Sequence, residues 1–249
     1  GEAMAMGERA PLALVDAAAA ARMTVGETLT NLLAAPVKDL RQVIFSANWM
    51  AAANHEAEGA ALYQAVLAMT EGFCTELGIA IPVGKDSLSM KSEWTTPGNI
   101  YQVTSPVSLV LSALAPLDDV RKTLTPQLTH DENTVCLLID LGQGKQAMAG
   151  SALAQVTSQI GKVSPDVRDV KLLRYLSSAL AELREDGLIL AYHDRSDGGL
   201  LATLCEMMFA SHCGLDVDLS QMGGSVITRL FTEELGVVVQ VHIESLSLF

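Results

Sequence analysis

The stretch AYHDRSDGGLLATL, residues 191–204, places five consecutive polar residues directly before two glycines and an apolar segment. A strand-to-helix turn needs only a capping Ser or Asp and one Gly, so this run carries more polar groups than a turn requires. The preceding residues 188–193 have the apolar pattern of a strand, and residues 199–210 have the pattern of a helix. The sequence therefore predicts a strand, a glycine turn and a helix that begins beside several charged side chains.

The chemistry of this turn follows from its unpaired backbone groups. The first N–H groups of a helix have no partner within the helix, and they favour an anion such as phosphate, which glycines allow to approach closely. Asp194 would repel phosphate directly but can bind it through a magnesium ion. Ser196 is either a helix cap or a ligand of a nucleotide phosphate, and the motif by itself leaves both readings open.

A second group of oxygen ligands lies in the long Ala-rich segment near the start of the chain. Residues 11–35 are rich in Ala, Leu and Met and precede Pro36, which predicts one long helix. Glu27 and Asn31 are four residues apart and therefore share one helical face. A carboxylate and an amide oxygen in this arrangement suit a hard cation, although an exposed Glu–Asn pair explains the same spacing. A partner carboxylate such as Asp194 favours the metal site.

The remaining chain alternates strand and helix patterns. Helix patterns cover residues 57–78, 150–160 and 168–186, and strand patterns cover residues 40–49, 101–117, 135–141, 215–219 and 236–243. Residues 79–94 have strand-like ends around a predicted turn at Gly84. These patterns predict an α+β protein in which helices pack on sheets. The polar segment 118–134, which contains Pro126, predicts a boundary between two domains.

Composition narrows the classes of partner. The 249 residues include 16 basic and 29 acidic side chains, and the resulting net charge of −13 would repel nucleic acid. A small phosphorylated ligand bound through a cation remains compatible with this charge. The sequence lacks a membrane-length apolar run, a secretory leader and paired-Cys motifs, so we expect a cytoplasmic protein with four free thiols and no membrane partner.

The segment PVGKDSLSM, residues 82–90, is a further candidate binding element. It places Lys85, Asp86 and Ser87 after a glycine, but it lacks the GxxxxGK[ST] pattern of a phosphate-binding P-loop. A surface hairpin and a substrate-binding loop are both consistent with these residues.

Five motifs together resemble one enzyme family. They are GERAPLALVDAAAAARMTVGETLTN (7–31), SANWM (46–50), IPVGKDSLSM (81–90), TLTPQL (123–128) and YHDRSDGGLL (192–201). Their order and identity closely resemble the large bacterial phosphoribosylformylglycinamidine synthases, also called formylglycinamide ribonucleotide amidotransferases. The HDxSDGG motif alone would identify only the wider superfamily of aminoimidazole ribonucleotide synthetase-like ATP enzymes.

The resemblance implies an aminoimidazole ribonucleotide synthetase-like α+β fold of two domains, with helices packed on mixed or antiparallel sheets. The chain would be a piece of a longer ligase, taken from the second synthetase half. Residues 1–116 would form part of an N-type synthetase-like domain, 117–132 a linker, and 133–249 a C-type domain that is incomplete at its C-terminus. The glutaminase domain would be a partner elsewhere in the parent, and self-association of the fragment through an exposed sheet is a further expectation.

The resemblance also implies an activity and ligands. The parent reaction converts formylglycinamide ribonucleotide to formylglycinamidine ribonucleotide in purine biosynthesis, using ATP and glutamine. Glu27, Asn31 and Asp194 match family magnesium ligands, and Ser196 matches a nucleotide contact. Lys85, Asp86 and Ser87 are candidates for the substrate cleft. The implied cofactors are Mg²⁺ and ATP or ADP, whereas no catalytic residue is assigned.

Two rival hypotheses stand beside this reading. One is a structural nucleotide-binding scaffold that stabilises the catalytic half and turns over nothing. The other is a related stand-alone ATP enzyme, against which the SANWM and GKDSLSM motifs argue. We expect the isolated fragment to lack turnover, and an ATPase measurement with magnesium distinguishes a catalytic pocket from a scaffold.

Overall fold

The computed structural model describes all 249 residues, as nine strands and seven α-helices joined by short 3₁₀ and π turns. The strands are β1 (Glu2–Glu8), β2 (Ile44–Met50), β3 (Ala80–Ser87), β4 (Lys91–Thr96), β5 (Asn99–Thr104), β6 (Ser108–Pro116), β7 (Thr134–Asp140), β8 (Ala191–Arg195) and β9 (Gly236–His242). The helices are α1 (Ala17–Leu32), α2 (Glu58–Met69), α3 (Thr75–Leu77), α4 (Ala152–Val156), α5 (Lys171–Glu185), α6 (Gly199–Ser211) and α7 (Val226–Phe231). The predicted α+β class is confirmed.

The first sheet has the strand order β1-β6-β2-β3. Strand β2 runs parallel to β3 and antiparallel to β6, which makes the sheet mixed. Phe45, Ala47 and Trp49 of β2 are buried in the main core, whereas Met4 and Met6 of β1 are exposed. Since neighbouring strand residues point to opposite faces, one face of this sheet packs against helices and the other is open.

Helix α1 lies at the centre of the protein. The Asp16 side chain caps it by accepting a hydrogen bond from the N–H of Ala19, 2.9 Å away. Residues Ala10–Leu14 form a separate 3₁₀ turn, so the helix is shorter than the predicted span of 11–35. Thirteen of its 16 residues are buried, since it packs against the first sheet, α2 and the second half of the chain.

The second sheet has the order β7-β9-β8 and is entirely antiparallel. Val237, Val239 and Val241 of β9 belong to the same large core cluster as α1 and the first sheet. Val238, on the opposite face of β9, packs against Leu200 and Leu204 of α6 in a smaller cluster. Strand β9 therefore separates two apolar layers, and its three odd-numbered valines pack the second half of the chain against the first.

The structure corrects four sequence expectations. Gly84 does not form a turn, because β3 continues through it in parallel register with β2. Residues 215–219 are not a strand, because no other strand lies beside them to supply hydrogen bonds. The helix predicted over 57–78 is interrupted by a π turn at Thr70–Cys74, and the one predicted over 150–160 shortens to α4.

Strand β1 and helix α7 were not anticipated. Strand β1 forms because its main chain pairs antiparallel with β6 along seven residues. Helix α7 is only six residues long and begins at a capping box formed by Ser225 and Thr228. None of the helices combines the length and the hydropathy that a membrane crossing requires.

Candidate functional site

A buried arginine, Arg9, lies at the centre of the charged site. It directly follows β1, and only 5% of the residue is exposed. Its Nη1 lies 2.9 Å from Oδ1 of Asp197 and 3.7 Å from Oε1 of Glu27, while Nη2 lies 2.8 Å from Oε2 of Glu233. The guanidinium thus joins three carboxylates from three separate parts of the chain.

Glu27 points from the buried middle of α1 towards this arginine. One of its oxygens also accepts a hydrogen bond from the N–H of Glu8, 2.7 Å away. Burial raises the pKa of Glu27 to about 7; Arg9 and the Glu8 N–H oppose the shift, and the charges of Asp197 and Asp194 increase it. The negative charges of Asp194 and Asp197, at and just after the end of β8, therefore act directly on the Glu27 carboxylate.

Asn31 lies one helical turn after Glu27, as predicted, but on the exposed part of α1. Its side-chain nitrogen donates a hydrogen bond to the carbonyl of Met6, 3.2 Å away. This bond orients the amide against β1 and leaves the amide oxygen available as a ligand.

Asp194 is held on β8, close to α1. The hydroxyl of Tyr192 donates a hydrogen bond to the carbonyl of Thr30, which fixes β8 against the C-terminal half of α1. The adjacent His193 has Nδ1 3.3 Å from Oδ1 of Asp194 and Nε2 2.8 Å from Oε2 of Glu206. Burial opposes protonation of His193, but these two carboxylates raise its pKa above the ordinary value. Asp194 is thus half-buried and paired with a basic neighbour.

The start of α6 differs from the expected open anion site. No side chain caps the helix, so Ser196 is not its cap, and the carbonyl of Ser196 accepts the N–H of Gly199 instead. The N–H of Gly198 donates to the carboxylate of Glu233 at 2.8 Å. A protein carboxylate therefore occupies part of the position where the sequence predicts a phosphate.

Both glycines of the turn are required by geometry. Gly198 and Gly199 have φ values of +82° and +68°, in the left-handed region. A Cβ on Gly199 would lie 2.7 Å from the carbonyl oxygen of Thr232. The turn therefore packs directly against the chain segment that carries Glu233.

Sequence reasoning missed this segment, which immediately precedes β9. Besides its contact with Arg9, Glu233 accepts the N–H of Ala152 at 2.8 Å. Burial raises the pKa of Glu233, which Arg9 and the two N–H donors oppose. Glu234 is fully buried and pairs with Arg168 at 3.1 Å. Two adjacent acidic residues directly before the apolar run of β9 were the available signal, because buried charges need partners.

A further buried ion pair, between Arg195 and Asp140, stabilises the turn before α6. Nη2 of Arg195 lies 2.5 Å from Oδ1 of Asp140, and the same guanidinium donates to the carbonyls of Glu234 and Leu235. Arg195 is 1% exposed, so these contacts satisfy a charge that water cannot reach. The polar run quoted at the outset thus contains a structural arginine as well as candidate ligands.

Lys85, Asp86 and Ser87 lie on the edge strand β3, away from the charged cluster. Lys85 is paired with Asn48 of β2, which is paired with Val110 of β6, which is paired with Glu8 of β1. Lys85 and Glu8 thus end one cross-sheet row that spans about 14 Å, from three strand spacings of ~4.8 Å. The buried Oδ1 of Asn48, in the middle of this row, has no hydrogen-bond partner.

The chemistry of the predicted metal ligands fits a hard cation. Glu27, Asn31 and Asp194 offer only oxygen atoms, and the raised pKa of Glu27 marks a position that added positive charge would stabilise. However, no group of three or more His, Cys, Asp or Glu side chains is gathered closely enough to hold a metal ion by itself. The full set of three ligands remains a prediction. The four cysteines are free thiols.

Two family models match the chain. The FGAR-AT PurM_N-like domain matches residues 1–116, and the C-terminal domain of AIR synthase related proteins matches residues 136–243. Together they span the β1-β6-β2-β3 sheet, the β4-β5 pair, nearly all of the β7-β9-β8 sheet and every element of the charged cluster.

Solved structures share the fold. PurL of T. maritima complexed with FGAR superposes with a TM-score of 0.73 at 15% identity, covering 99% of this chain and 38% of that chain. The same enzyme complexed with ATP gives a TM-score of 0.63 at 16% identity, covering 99% of this chain and 37% of that one. E. coli HypE, a hydrogenase maturation protein, gives 0.65 at 15% identity, covering 100% of this chain and 73% of that chain. The chain thus spans well under half the length of PurL.

Proposed function

Because this chain belongs to the aminoimidazole ribonucleotide synthetase-like family, with an N-terminal domain of the FGAR-AT type, we propose that it forms part of a phosphoribosylformylglycinamidine synthase. That enzyme would convert formylglycinamide ribonucleotide to formylglycinamidine ribonucleotide with ATP and glutamine in the cytoplasm. Ammonia would come from a glutaminase domain elsewhere in the parent enzyme. Residues 1–116 and 133–249 would be its two synthetase-like domains, with 117–132 as the linker.

The observation that carries this proposal is the convergence of Glu27 and the acidic turn around Arg9. A magnesium–nucleotide pocket requires oxygen ligands beside an anion-binding backbone turn, and the approach of both Glu27 and Asp197 of the turn to Arg9 supports such a pocket. Glu27, Asn31 and Asp194 would hold Mg²⁺, and Ser196 would contact the nucleotide. The ion would neutralise charge on the polyphosphate, which is the main electrostatic task in phosphoryl transfer.

The protein residues around the pocket would orient it. Arg9 fixes the Glu27 carboxylate from one side, and the Glu8 N–H fixes it from another. Glu233 ties Arg9 to the Gly198 N–H, so the acidic turn and α1 keep a constant separation. Ligands that are positioned before binding lose less conformational entropy when a nucleotide arrives.

The cross-sheet row on the open face would supply the substrate cleft. Lys85 is exposed and carries no ion pair, so its ammonium group is available for an acidic substrate such as a ribonucleotide phosphate. Asp86 and Ser87 continue the same strand, and Asn48, whose buried Oδ1 has no hydrogen-bond partner, is the register partner of Lys85 on β2. This row leads from the edge strand to Glu8, whose N–H holds Glu27.

Magnesium-dependent nucleotide binding tests the pocket. We expect Glu27→Gln and Asp194→Asn each to weaken binding of a fluorescent ADP analogue at least tenfold in the presence of Mg²⁺, and much less in EDTA. Glu71→Gln, an exposed residue of the π turn, serves as the matched control and should bind like the wild type. Equal affinity of all four proteins for Mg²⁺-ADP would refute the assignment.

A structural scaffold is the second candidate function, favoured by one observation. Glu233 already occupies an N–H at the start of α6, and buried ion pairs surround the turn, as expected for a site that holds two halves together. Tight retention of ADP without hydrolysis of ATP would favour this scaffold over a catalytic pocket. Measurable magnesium-dependent turnover by this chain would favour catalysis.

A further inference from the structure

The two terminal nitrogens of the Arg9 guanidinium lie in different surroundings. Nη2 is 2.8 Å from Oε2 of Glu233, whose side chain is only 1% exposed. Nη1 is 2.9 Å from Oδ1 of Asp197, whose side chain is 66% exposed. The guanidinium is thus anchored on its buried side by Glu233, and it meets the protein surface at Asp197.

The Asp197 side chain has no second contact that would hold it in place. Its only hydrogen bond is the one from Arg9, and it does not cap α6, which begins after Gly198 without a side-chain cap. An exposed ion pair of this kind contributes little to stability, because water solvates the freed carboxylate. Glu233, in contrast, also accepts the N–H groups of Ala152 and Gly198. Asp197 is therefore the replaceable partner of Arg9, and Glu233 is the permanent one.

Negative charge is in surplus around Nη1. An oxygen of Glu27 lies 3.7 Å from the same nitrogen, and the charges of Asp194 and Asp197 both raise the pKa of that carboxyl group. Arg9 is the only basic partner of the three carboxylates that it touches. Once Glu27 and Asp194 hold a cation, as proposed above, the surplus falls. A phosphate group, which presents several charged oxygens to a guanidinium, then competes well with one exposed carboxylate.

We propose that Arg9 binds the polyphosphate of the nucleotide, and that a phosphate oxygen replaces Asp197 at Nη1 while Glu233 keeps Nη2. This inference rests on the nucleotide site proposed above. Ser196, the proposed nucleotide contact, directly precedes Asp197, so a nucleotide that reaches Ser196 arrives beside this ion pair. Arg9 then distinguishes nucleoside diphosphates and triphosphates from the nucleoside, and Asp197 is an internal competitor that lowers the affinity for both phosphorylated forms.

Asp197→Asn tests the exchange, because it removes the competing charge and leaves Arg9 and the proposed metal ligands in place. We expect the variant to bind a fluorescent ADP analogue in Mg²⁺ at least threefold more tightly than the wild type, whereas Asp194→Asn should bind it more weakly. Asp118→Asn is the matched control, since it breaks an exposed pair with Lys38 and changes the net charge equally. It should bind like the wild type, and a fluorescent adenosine without phosphates should not distinguish Asp197→Asn from the wild type.

Arg9→Lys shows whether the tighter binding depends on the arginine. A lysine keeps the positive charge beside Glu233 but lacks the forked pair of nitrogens that serves two partners at once. In this background Asp197→Asn should therefore leave the affinity for Mg²⁺-ADP unchanged. Equal tightening in both backgrounds would overturn the proposal, because the gain would then come only from the lost negative charge. Circular dichroism checks that each variant is folded.

The same measurements separate this inference from the proposed function. Absence of saturable Mg²⁺-ADP binding by the wild type would refute the nucleotide site itself. If the wild type binds and Asp197→Asn binds equally well or more weakly, the site stands and the exchange at Arg9 is refuted. Should Arg9→Lys fail to fold, the comparison of Asp197→Asn with Asp118→Asn decides the question by itself.

Discussion

Arg9 and Glu233 are 224 residues apart in the sequence, and their side chains form a buried ion pair with an N–O distance of 2.8 Å. This pair connects the end of β1 to the segment before β9, and Glu233 extends the connection to the N–H of Gly198, directly before α6. Since Arg9 also faces Glu27, the ion pair couples the stability of the fold to the geometry of the proposed nucleotide pocket.

Removal of Arg9 should therefore destabilise the whole protein. In Arg9→Met, Glu233 and Glu27 lose their only basic partner while both remain buried, and breaking a buried pair in this way typically costs about 3–5 kcal/mol. Urea unfolding measures the change. Arg41→Met is the matched control, because Arg41 pairs with Asp39 on an exposed turn and should cost less than about 1 kcal/mol. Similar losses in the two variants would show that the Arg9 cluster is not a structural centre.

The raised pKa of Glu27 predicts a distinctive dependence of stability on pH. The pKa is about 7 in the folded protein and 4.5 ordinarily, so the folded state binds this proton more tightly than the unfolded state does. The stabilisation is complete below about pH 4.5 and is lost as the pH rises through 7. Between pH 5 and pH 8 the free energy of unfolding of the wild type should therefore fall by about 2–3 kcal/mol relative to that of Glu27→Gln, at ~1.36 kcal/mol per pKa unit.

Urea unfolding at these two pH values checks this expectation. Glu27→Gln should be the more stable protein at pH 8, even though it binds Mg²⁺-ADP more weakly, so loss of binding cannot then be attributed to misfolding. Mg²⁺ should stabilise wild type at pH 8 and leave Glu27→Gln nearly unchanged. Parallel pH curves for the two proteins would contradict the assigned environment of Glu27.

The third prediction concerns Gly199, which lies close to neighbouring main chain, and it uses Gly187 as the control position. Gly187 and Gly199 both have φ of +68°, but only at Gly199 would a Cβ meet backbone atoms, the nearest at 2.7 Å. Substitution of either by Ala costs about 1–2 kcal/mol for the left-handed conformation. Gly199→Ala should cost at least a further 2 kcal/mol or so, because the turn must separate from the segment carrying Glu233. Thermal unfolding measures the stability lost by each variant. Equal losses would contradict the prediction, because they would mean that the turn can move away from the neighbouring segment freely.

The sequence predicts local features of this protein better than its long-range contacts. The helix containing Glu27 and the strand, turn and helix around Asp194 were predictable, because apolar periodicity and glycine placement are local signals. Arg9 and Glu233 were not, since nothing in either neighbourhood indicates which distant charge neutralises it. The LDVDL segment, residues 215–219, shows that a local signal can also mislead. Its alternation of apolar and acidic residues predicts a strand, but a strand needs a neighbouring strand to pair with, and this structure supplies none.

The last prediction concerns the reactivity of the cysteine thiols, which reports on the packing of the first half of the chain. Burial raises the pKa of Cys74 to about 12, and the residue is packed in the main core beneath α1 and α2. At pH 8 only about one molecule in 10⁴ carries the thiolate, which is the reactive form. Cys205 and Cys213 are more accessible, so maleimide should modify them first and Cys74 last, by a factor of at least 100. Denaturation in urea should make all four thiols react at similar rates, whereas rapid labelling of Cys74 in the native protein would mean that the core opens locally around the π turn.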